Sequence, residues 1–353
     1  MNRTVLIEGL KKVMPGVGEK EALIEGASSF LFEDEWIKTF NDSISVSFPL
    51  NIGVSCLVKA KELFMILNKL DSEEVKLLVL DDGKFMLSGG KTTLKMPMAN
   101  LDTFETAIVD NISLAEAEWD AIPEDFMKGL KMCSLFASTN PAMPDLGGVS
   151  IGKDGVISTD NYRASWFHGE YPDIDGLDEE IMLPIRAIKE LIKINDLIEF
   201  SFGASWCHFR DKNGLCFSIR KLAVDFPRED IKEFLNFEGF DKNEEYRFPA
   251  TIAKSVERAS ILSSLTDAGR EYVEIGLDKK GNLIITGSRQ YGEIKEKISP
   301  SSEWSFPKDV LLKINPGYFT DFVSVDRKFY SRENKFIMMR SGEFDVIVSL
   351  VKS

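Results

Sequence analysis

A few short constellations in the sequence carry residue types that could do chemistry, and each has a simpler reading. Ser88-Gly89-Gly90-Lys91-Thr92 has the glycines, lysine and hydroxyl of a phosphate-cradling loop. It lacks the GxxxxGK[ST] spacing and falls between two strand-like runs, so it reads as a hairpin turn. Asp81-Asp82 and Asp278-Lys279-Lys280-Gly281-Asn282 offer oxygen ligands for a cation, but Asp, Asn and Gly are what tight turns require. Cys207 and His208 are neighbours in a strand-like run, where alternation sends them to opposite faces and away from a shared zinc ion. The four cysteines (Cys56, Cys133, Cys207, Cys216) form no CxxC pair and read as reduced, buried thiols of a cytoplasmic protein. With two histidines in the chain, His168 and His208, no serine or cysteine has a visible base at recognisable spacing. The expectation is a protein that is not an enzyme, with no catalytic residues, no metal site and no cofactor.

The chemistry that remains is electrostatic. A net charge of −14 argues on its own against a nucleic-acid partner. The distribution of that charge points the other way. Lys11, Lys12, Lys59, Lys61, Lys69, Lys128, Lys131, Arg186, Lys189, Lys193, Lys254, Arg258, Lys308 and Lys313 all fall within six segments of helical periodicity. Those segments hold fourteen basic residues against seven acidic ones, a surplus of +7 inside an acidic chain. Arg186, Lys189 and Lys193 stand at i, i+3 and i+7, which aligns them along one helical stripe. Solvation of exposed helix faces explains such lysines on any single helix. The same bias on six helices fits a basic wall that meets phosphates without reading base edges.

The elements that must carry these side chains repeat. Helices are predicted over Thr4–Met14, Lys59–Leu70, Pro123–Ala137, Pro184–Asn195, Pro249–Ser264 and Pro307–Ile314, starting about every 60 residues. LPIRAIKELIKIN and FPKDVLLKIN share a pattern with VKAKELFMILNKL, and IPEDFMKGLKMCSLF resembles FPATIAKSVERASIL, so the repeat is double. Strand-like runs with Asp-Gly and Gly-Gly turns follow the helices, as in VKLLVL, FMLSGGK and TTLKMPM. The predicted fold is α+β: three tandem domains, each of two helix-plus-antiparallel-meander repeats, with helices on one face of curved sheets. Polar, aperiodic stretches near 112 and 236 divide the chain into 1–112, 113–236 and 237–353. A length of 353 residues suits two or three cores. No stretch approaches a membrane span, and the first residues lack the apolar core of a secretory signal.

In length, repeat order and helix placement the whole chain resembles the bacterial DNA sliding clamp, the beta subunit of the replicative polymerase. Thr159-Asp160-Asn161-Tyr162-Arg163-Ala164 is similar to that family's TDGHRLA segment, and LPIRAIKELIKIND to its VPRKGVxELxRxLD helix. Asp225-Phe226-Pro227 resembles DGRFPDY, and Glu257 to Ser263 resembles ARAAILS. The resemblance implies three clamp domains per chain, helices lining a ring with sheets outside, and a head-to-tail homodimer around double-stranded DNA. It also implies a clamp loader, a replicative DNA polymerase tethered through short peptides, and a partner-peptide pocket. Position by position that pocket comprises Leu146, Thr159, Tyr162, Arg163, Pro227, Val348, Leu350 and Val351. Departures cluster there: Tyr162 stands for the usual histidine, Asn161 for glycine, and the tail ends Ser349-Leu350-Val351-Lys352-Ser353. A divergent clamp of cellular or phage origin, placed in the cytoplasm, is the first expectation. A protein–protein scaffold of the same repeats that never encircles DNA is the alternative.

Overall fold

Asn2 starts the first helix by capping it: its Oδ1 accepts from the backbone N–H of Thr4 at 2.9 Å and of Val5 at 3.2 Å. Helix α1 (Arg3–Val13) then buries Leu6, Ile7, Gly9, Leu10 and Val13 against strands Trp36–Phe40 and Ile44–Pro49. A side chain at Gly9 would press on Leu50 and Ile37, so glycine lets the helix lie close. In the computed structural model the described residues are 1–19, 25–101, 104, 117–171, 177, 180–235, 245–266, 269–332 and 335–351. The expected domain junctions near 112 and 236 lie outside them.

The remaining helices among the described residues are α2 (Ala60–Leu67), α3 (Phe126–Cys133), α4 (Ile185–Leu191), α5 (Arg228–Leu235), α6 (Ile252–Ser260) and α7 (Pro316–Val325). Five of the six predicted helices therefore exist; the first has its predicted length, shifted by one residue, and the other four are shorter than their periodic stretches. The sixth is misplaced. Lys308 and Asp309 form a turn, and Leu311–Ile314 is a strand paired with Glu271–Leu277, with Leu312 and Ile314 buried on alternate positions. The helix begins after it, where Asn315 Oδ1 caps Gly317 and Tyr318 and Pro316 sits at the first helical position. Sheet pairing with Val273 and Ile275 outweighed the helical spacing of that stretch. Helix α5 was not predicted.

At least three antiparallel strands follow every repeat helix among the described residues, in keeping with the strand-like runs read from the sequence. Contacts divide the chain into two compact units, Met1–Glu124 with Asp173–Ala223, and Asp125–Pro172 with Val224–Ser353. In the first, the main sheet runs through strands 55–59, 29–33, 36–40, 44–49, 216–220, 206–211, 197–202 and 120–121. Two meanders join at its centre, where Val46 pairs with Phe217 and Ile44 with Ile219. A three-stranded sheet of 76–79, 84–89 and 92–97 completes this unit. Phe40, Leu31, Leu57, Phe104 and Trp206 form one of its fully buried clusters.

The second unit repeats the plan. Its main sheet runs through 148–152, 155–159, 163–168, 344–349, 336–341, 328–332 and 246–247. Arg163–His168 and Phe344–Ser349 join the meanders, with Arg163 opposite Val348 and Phe167 opposite Phe344. Strands 264–265, 271–277, 283–289 and 292–298 form the other sheet, with 311–314 added beside 271–277.

The repeat extends to single atoms. Thr39 Oγ1 donates to the carbonyl of Val13 at the end of α1, and Ser158 Oγ donates to that of Cys133 at the end of α3, both at 2.6 Å. The following turns match as well. Asn41 Oδ1 accepts from the N–H groups of Ser43 and Ile44, and Asp160 Oδ1 accepts from those of Tyr162 and Arg163. Asp42 and Asn161, next in line, both adopt positive φ, which short polar side chains tolerate. Beside α6 the equivalent place holds Gly287, where any Cβ would collide with the carbonyl of Ala259. A hydroxyl tether in two repeats gives way to direct backbone contact in the third.

Candidate functional site

Basic side chains on the repeat helices are exposed because the apolar stripe of each helix points the other way. In α4, Ile185, Ala187, Ile188 and Leu191 are buried while Arg186 and Lys189 stay in solvent. In α6, Ile252, Ser255, Val256 and Ala259 are buried while Lys254 and Arg258 are exposed. Lys11, Lys61, Lys69, Lys128, Lys131 and Lys193 are exposed too; Lys12 lies over the ring of Phe48 at 3.9 Å, and Lys59 donates to Ser28.

Their availability differs. Arg258 is held by both oxygens of Glu296 at 2.9 and 2.6 Å, and Lys193 by Glu190 at 2.7 Å. Lys128 lies 3.6 Å from Asp125 and 4.0 Å from Glu343. Among the described residues, Lys11, Lys61, Lys69, Lys131, Arg186, Lys189 and Lys254 form no ion pair. Two predicted positions leave the helical set. Lys308 is an exposed turn residue, and Lys313 is on a strand, 3.5 Å from Glu274. Helix α7 supplies no cation in their place and contributes Asp321. Over their observed spans the six repeat helices carry ten basic and five acidic residues. The surplus is +5, smaller than predicted and of the same sign.

A second candidate site is built on the Thr159–Arg163 turn. Arg163, 7% exposed, donates from Nε to Asp160 Oδ2 at 2.9 Å and from Nη1 to Asp321 Oδ2 at 2.6 Å. Its guanidinium lies 4.2 Å from the ring of Tyr318 and 5.3 Å from that of Phe136. Tyr318 stacks on Tyr162, centroids 6.2 Å apart, and Arg270 lies over the ring of Tyr162 at 4.9 Å. Burial, with Asp160 beside it, raises the pKa of Tyr318 above that of an ordinary phenol. The chain end is tied to the same turn, since Ser349 N–H donates to the Tyr162 carbonyl at 2.8 Å. Leu350 and Val351 then donate to the carbonyls of Lys335 and Lys313.

Of the predicted pocket residues, Thr159, Tyr162, Arg163, Val348, Leu350 and Val351 are thus joined through one turn and the strand beside it. Val348 is wholly buried and Leu350 nearly so, so these two shape the site from behind. The hydrogen bonds and ring contacts of the cluster do not include Leu146 or Pro227. Leu146 ends a 3-10 turn and accepts from Ser138. Pro227 is exposed ahead of Arg228, whose guanidinium binds Ser150, Asp154 and Gly155. Tyr318, Asp321 and Arg270 were missed. The Asn-Pro start of α7 was the available signal for the first two, because it places Tyr318 and Asp321 at i, i+3 on one helix face.

The cysteines and His208, set aside as chemical candidates, are buried. Burial pushes the thiols of Cys56, Cys133 and Cys207 up to about 12 and that of Cys216 to about 11. Burial, reinforced by Lys221, lowers His208 to about 4, and its Nδ1 lies 2.8 Å from Ser218 Oγ. Among the described residues no three His, Cys, Asp or Glu side chains converge to hold a metal ion, and no helix is long and apolar enough to cross a membrane.

No protein-family model matches the chain, and no curated protein matches its sequence. Solved structures do match, over the full length. The DNA polymerase sliding clamp of Bacillus subtilis aligns at a TM-score of 0.78 and 16% identity, covering 100% of this chain and 98% of that one. The beta subunit of the DNA polymerase of Streptococcus pyogenes aligns at 0.77 and 19%, covering 100% and 99%. The sliding clamp of Bartonella birtlesii, in a complex with griselimycin, aligns at 0.80 and 16%, covering 100% and 98%. At these identities the likeness is one of fold, and the fold is that of the sliding clamps throughout.

Proposed function

From a chain that carries the sliding-clamp fold from end to end, we propose a DNA sliding clamp: a processivity factor that encircles duplex DNA and tethers a replicative polymerase. The full-length likeness in fold carries this reading, and the exposed, unpaired cations on the repeat helices support it. Two copies, each of three clamp domains (1–112, 113–236 and 237–353), close head to tail. Twelve repeat helices then face the duplex, and lysine and arginine meet phosphates through long, hydrated side chains. Among the described residues no element offers base readout, so retention is independent of sequence.

The second unit offers a surface for closing the ring. Ile261 is 72% exposed, Leu265 50% and Tyr291 76%. Tyr291 directly precedes strand Gly292–Ile298, which ends its sheet with one edge unpaired among the described residues. An exposed apolar group beside an open strand edge is a docking surface for another chain. The Tyr162–Tyr318 site, with the chain end laid against it, is the place for partner peptides of the polymerase and clamp loader.

The test is topological. Loaded protein should remain on closed circular duplex through a high-salt wash and slide off the same duplex once it is linearised. Reversing Lys189 and Lys193 to Glu should weaken retention while leaving the fold intact. Equal retention on circular and linear DNA would rule out encirclement and favour the scaffold. In sedimentation, a species near twice 39.7 kDa that Ile261→Asp converts to monomer is expected.

A further inference from the structure

Resting on the reading of the Tyr162 site as a peptide pocket, we infer that Arg270 makes this site selective for an acidic side chain in the docked peptide. The observation is a run of stacking contacts, Arg163 with Tyr318, Tyr318 with Tyr162 and Tyr162 with Arg270, in which the two cations have different fates. Arg163 is buried and neutralised by Asp160 and Asp321. Arg270 is exposed at the open end of the stack and, among the described residues, has no carboxylate partner. Among the described residues, two acids close to it in sequence are engaged elsewhere: Glu271 binds Arg289 at 3.0 Å and Glu274 binds Lys313 at 3.5 Å.

Arg270 is also held in place. Its N–H donates to Thr266 Oγ1 at 3.0 Å, and its carbonyl accepts from Thr266 N–H at 2.9 Å. The ring of Tyr162 fixes one face of the guanidinium, which leaves its edge of N–H donors directed to solvent. A carboxylate arriving in that plane gains charge-assisted hydrogen bonds, and the π-stack behind it is undisturbed. An amide of the same shape gains much less. An apolar neighbour in the peptide would lie against Tyr162, which is half-buried.

Peptides of Leu and Phe, six residues long and capped at both ends, with one Asp moved through each position, provide the probe. An otherwise identical set carries Asn. Binding to the full chain is measured by fluorescence anisotropy. In at least one register the Asp peptide should bind about tenfold more tightly than its Asn twin. Arg270→Gln should erase that difference, and Arg270→Glu should invert it, with denaturation midpoints unchanged because the side chain is exposed.

Equal binding of Asp and Asn peptides in every register would overturn the assignment while leaving the pocket reading intact. So would an equal loss of both sets in Arg270→Gln, which would make Arg270 a support for Tyr162 only. A third set without Asp and with its C-terminal cap removed is the control, and tightening seen only in that set would overturn the side-chain assignment as well. Failure of every peptide to bind would overturn the pocket reading and this inference with it.

Discussion

Arg163 and Asp321, separated by 158 positions, meet at 2.6 Å and join the Asp160 turn to helix α7. Removing either partner has unequal consequences. Arg163→Ala leaves Asp160 buried without its counter-charge and opens the space between Phe136 and Tyr318; a loss of about 3 kcal/mol is expected. Asp321→Asn, at a more exposed carboxylate, should cost about 1 kcal/mol. Urea midpoints at neutral pH measure both. Equal effects would mean that the Asp160 contact contributes little.

His208 gives the chain a stability that depends on pH. Its folded value of about 4 lies below the roughly 6.5 of an unfolded histidine, so between those values the unfolded chain binds a proton that the folded chain does not. Stability from this group is therefore full above pH ~6.5 and falls toward pH ~4, by about 3 kcal/mol across the window. Asp345 responds in a separate, more acid range. Burial would raise it, but hydrogen bonds from Arg340 and His168 hold it below an ordinary carboxylate, so its contribution is lost only below about pH 4. Denaturation of His208→Gln between pH 7 and 4.5 should show a flattened slope. An unchanged slope would assign the effect to other groups.

Cations that are unpaired should matter most on DNA. Replacing Lys131, Arg186, Lys189 or Lys254 by Ala should each lower the slope of log affinity against log salt by about 0.9, the value for one lost phosphate contact. Arg258→Ala should do less, because Glu296 already neutralises that side chain. Titration of duplex DNA at several salt concentrations decides, and a full-sized effect at Arg258 would contradict the ranking.

Where each helix ends against its sheet, the three solutions predict three penalties. Thr39→Val and Ser158→Ala each remove one buried hydroxyl donor to a helix-end carbonyl and should cost about 1 kcal/mol, since the Cys133 carbonyl, for one, keeps the N–H of Phe136. Gly287→Ala forces α6 away from its sheet and should cost more than either. Thermal or urea unfolding of the three variants gives the order directly.

Much of this architecture is legible in the amino acids, because helix and meander have distinct periods and the pattern recurs six times. Local errors have local causes. The stretch around Leu311–Ile314 has helical spacing, but its partner strand 271–277 lies outside any window around it, and only Asn315-Pro316 betrays where the helix starts. Helix α5 is short, and its apolar positions, Ile231, Phe234 and Leu235, are few. The site was half visible. Thr159 to Arg163 form a contiguous motif, whereas Tyr318, Asp321 and Arg270 join it through sheet pairing that no local pattern encodes.

That pairing also sets the order in which the chain can fold. Strand 163–168 pairs locally with 155–159 but finds its second neighbour in 344–349, and 44–49, beside 36–40, finds its second in 216–220. On the ribosome each waits with a bare edge while well over a hundred further residues are made. Such high contact order makes folding slow, and the waiting edges invite wrong partners. A chain stopped short of Phe344 would keep the sequence of most of its repeats and still present an open sheet to whatever stickiness the cell contains.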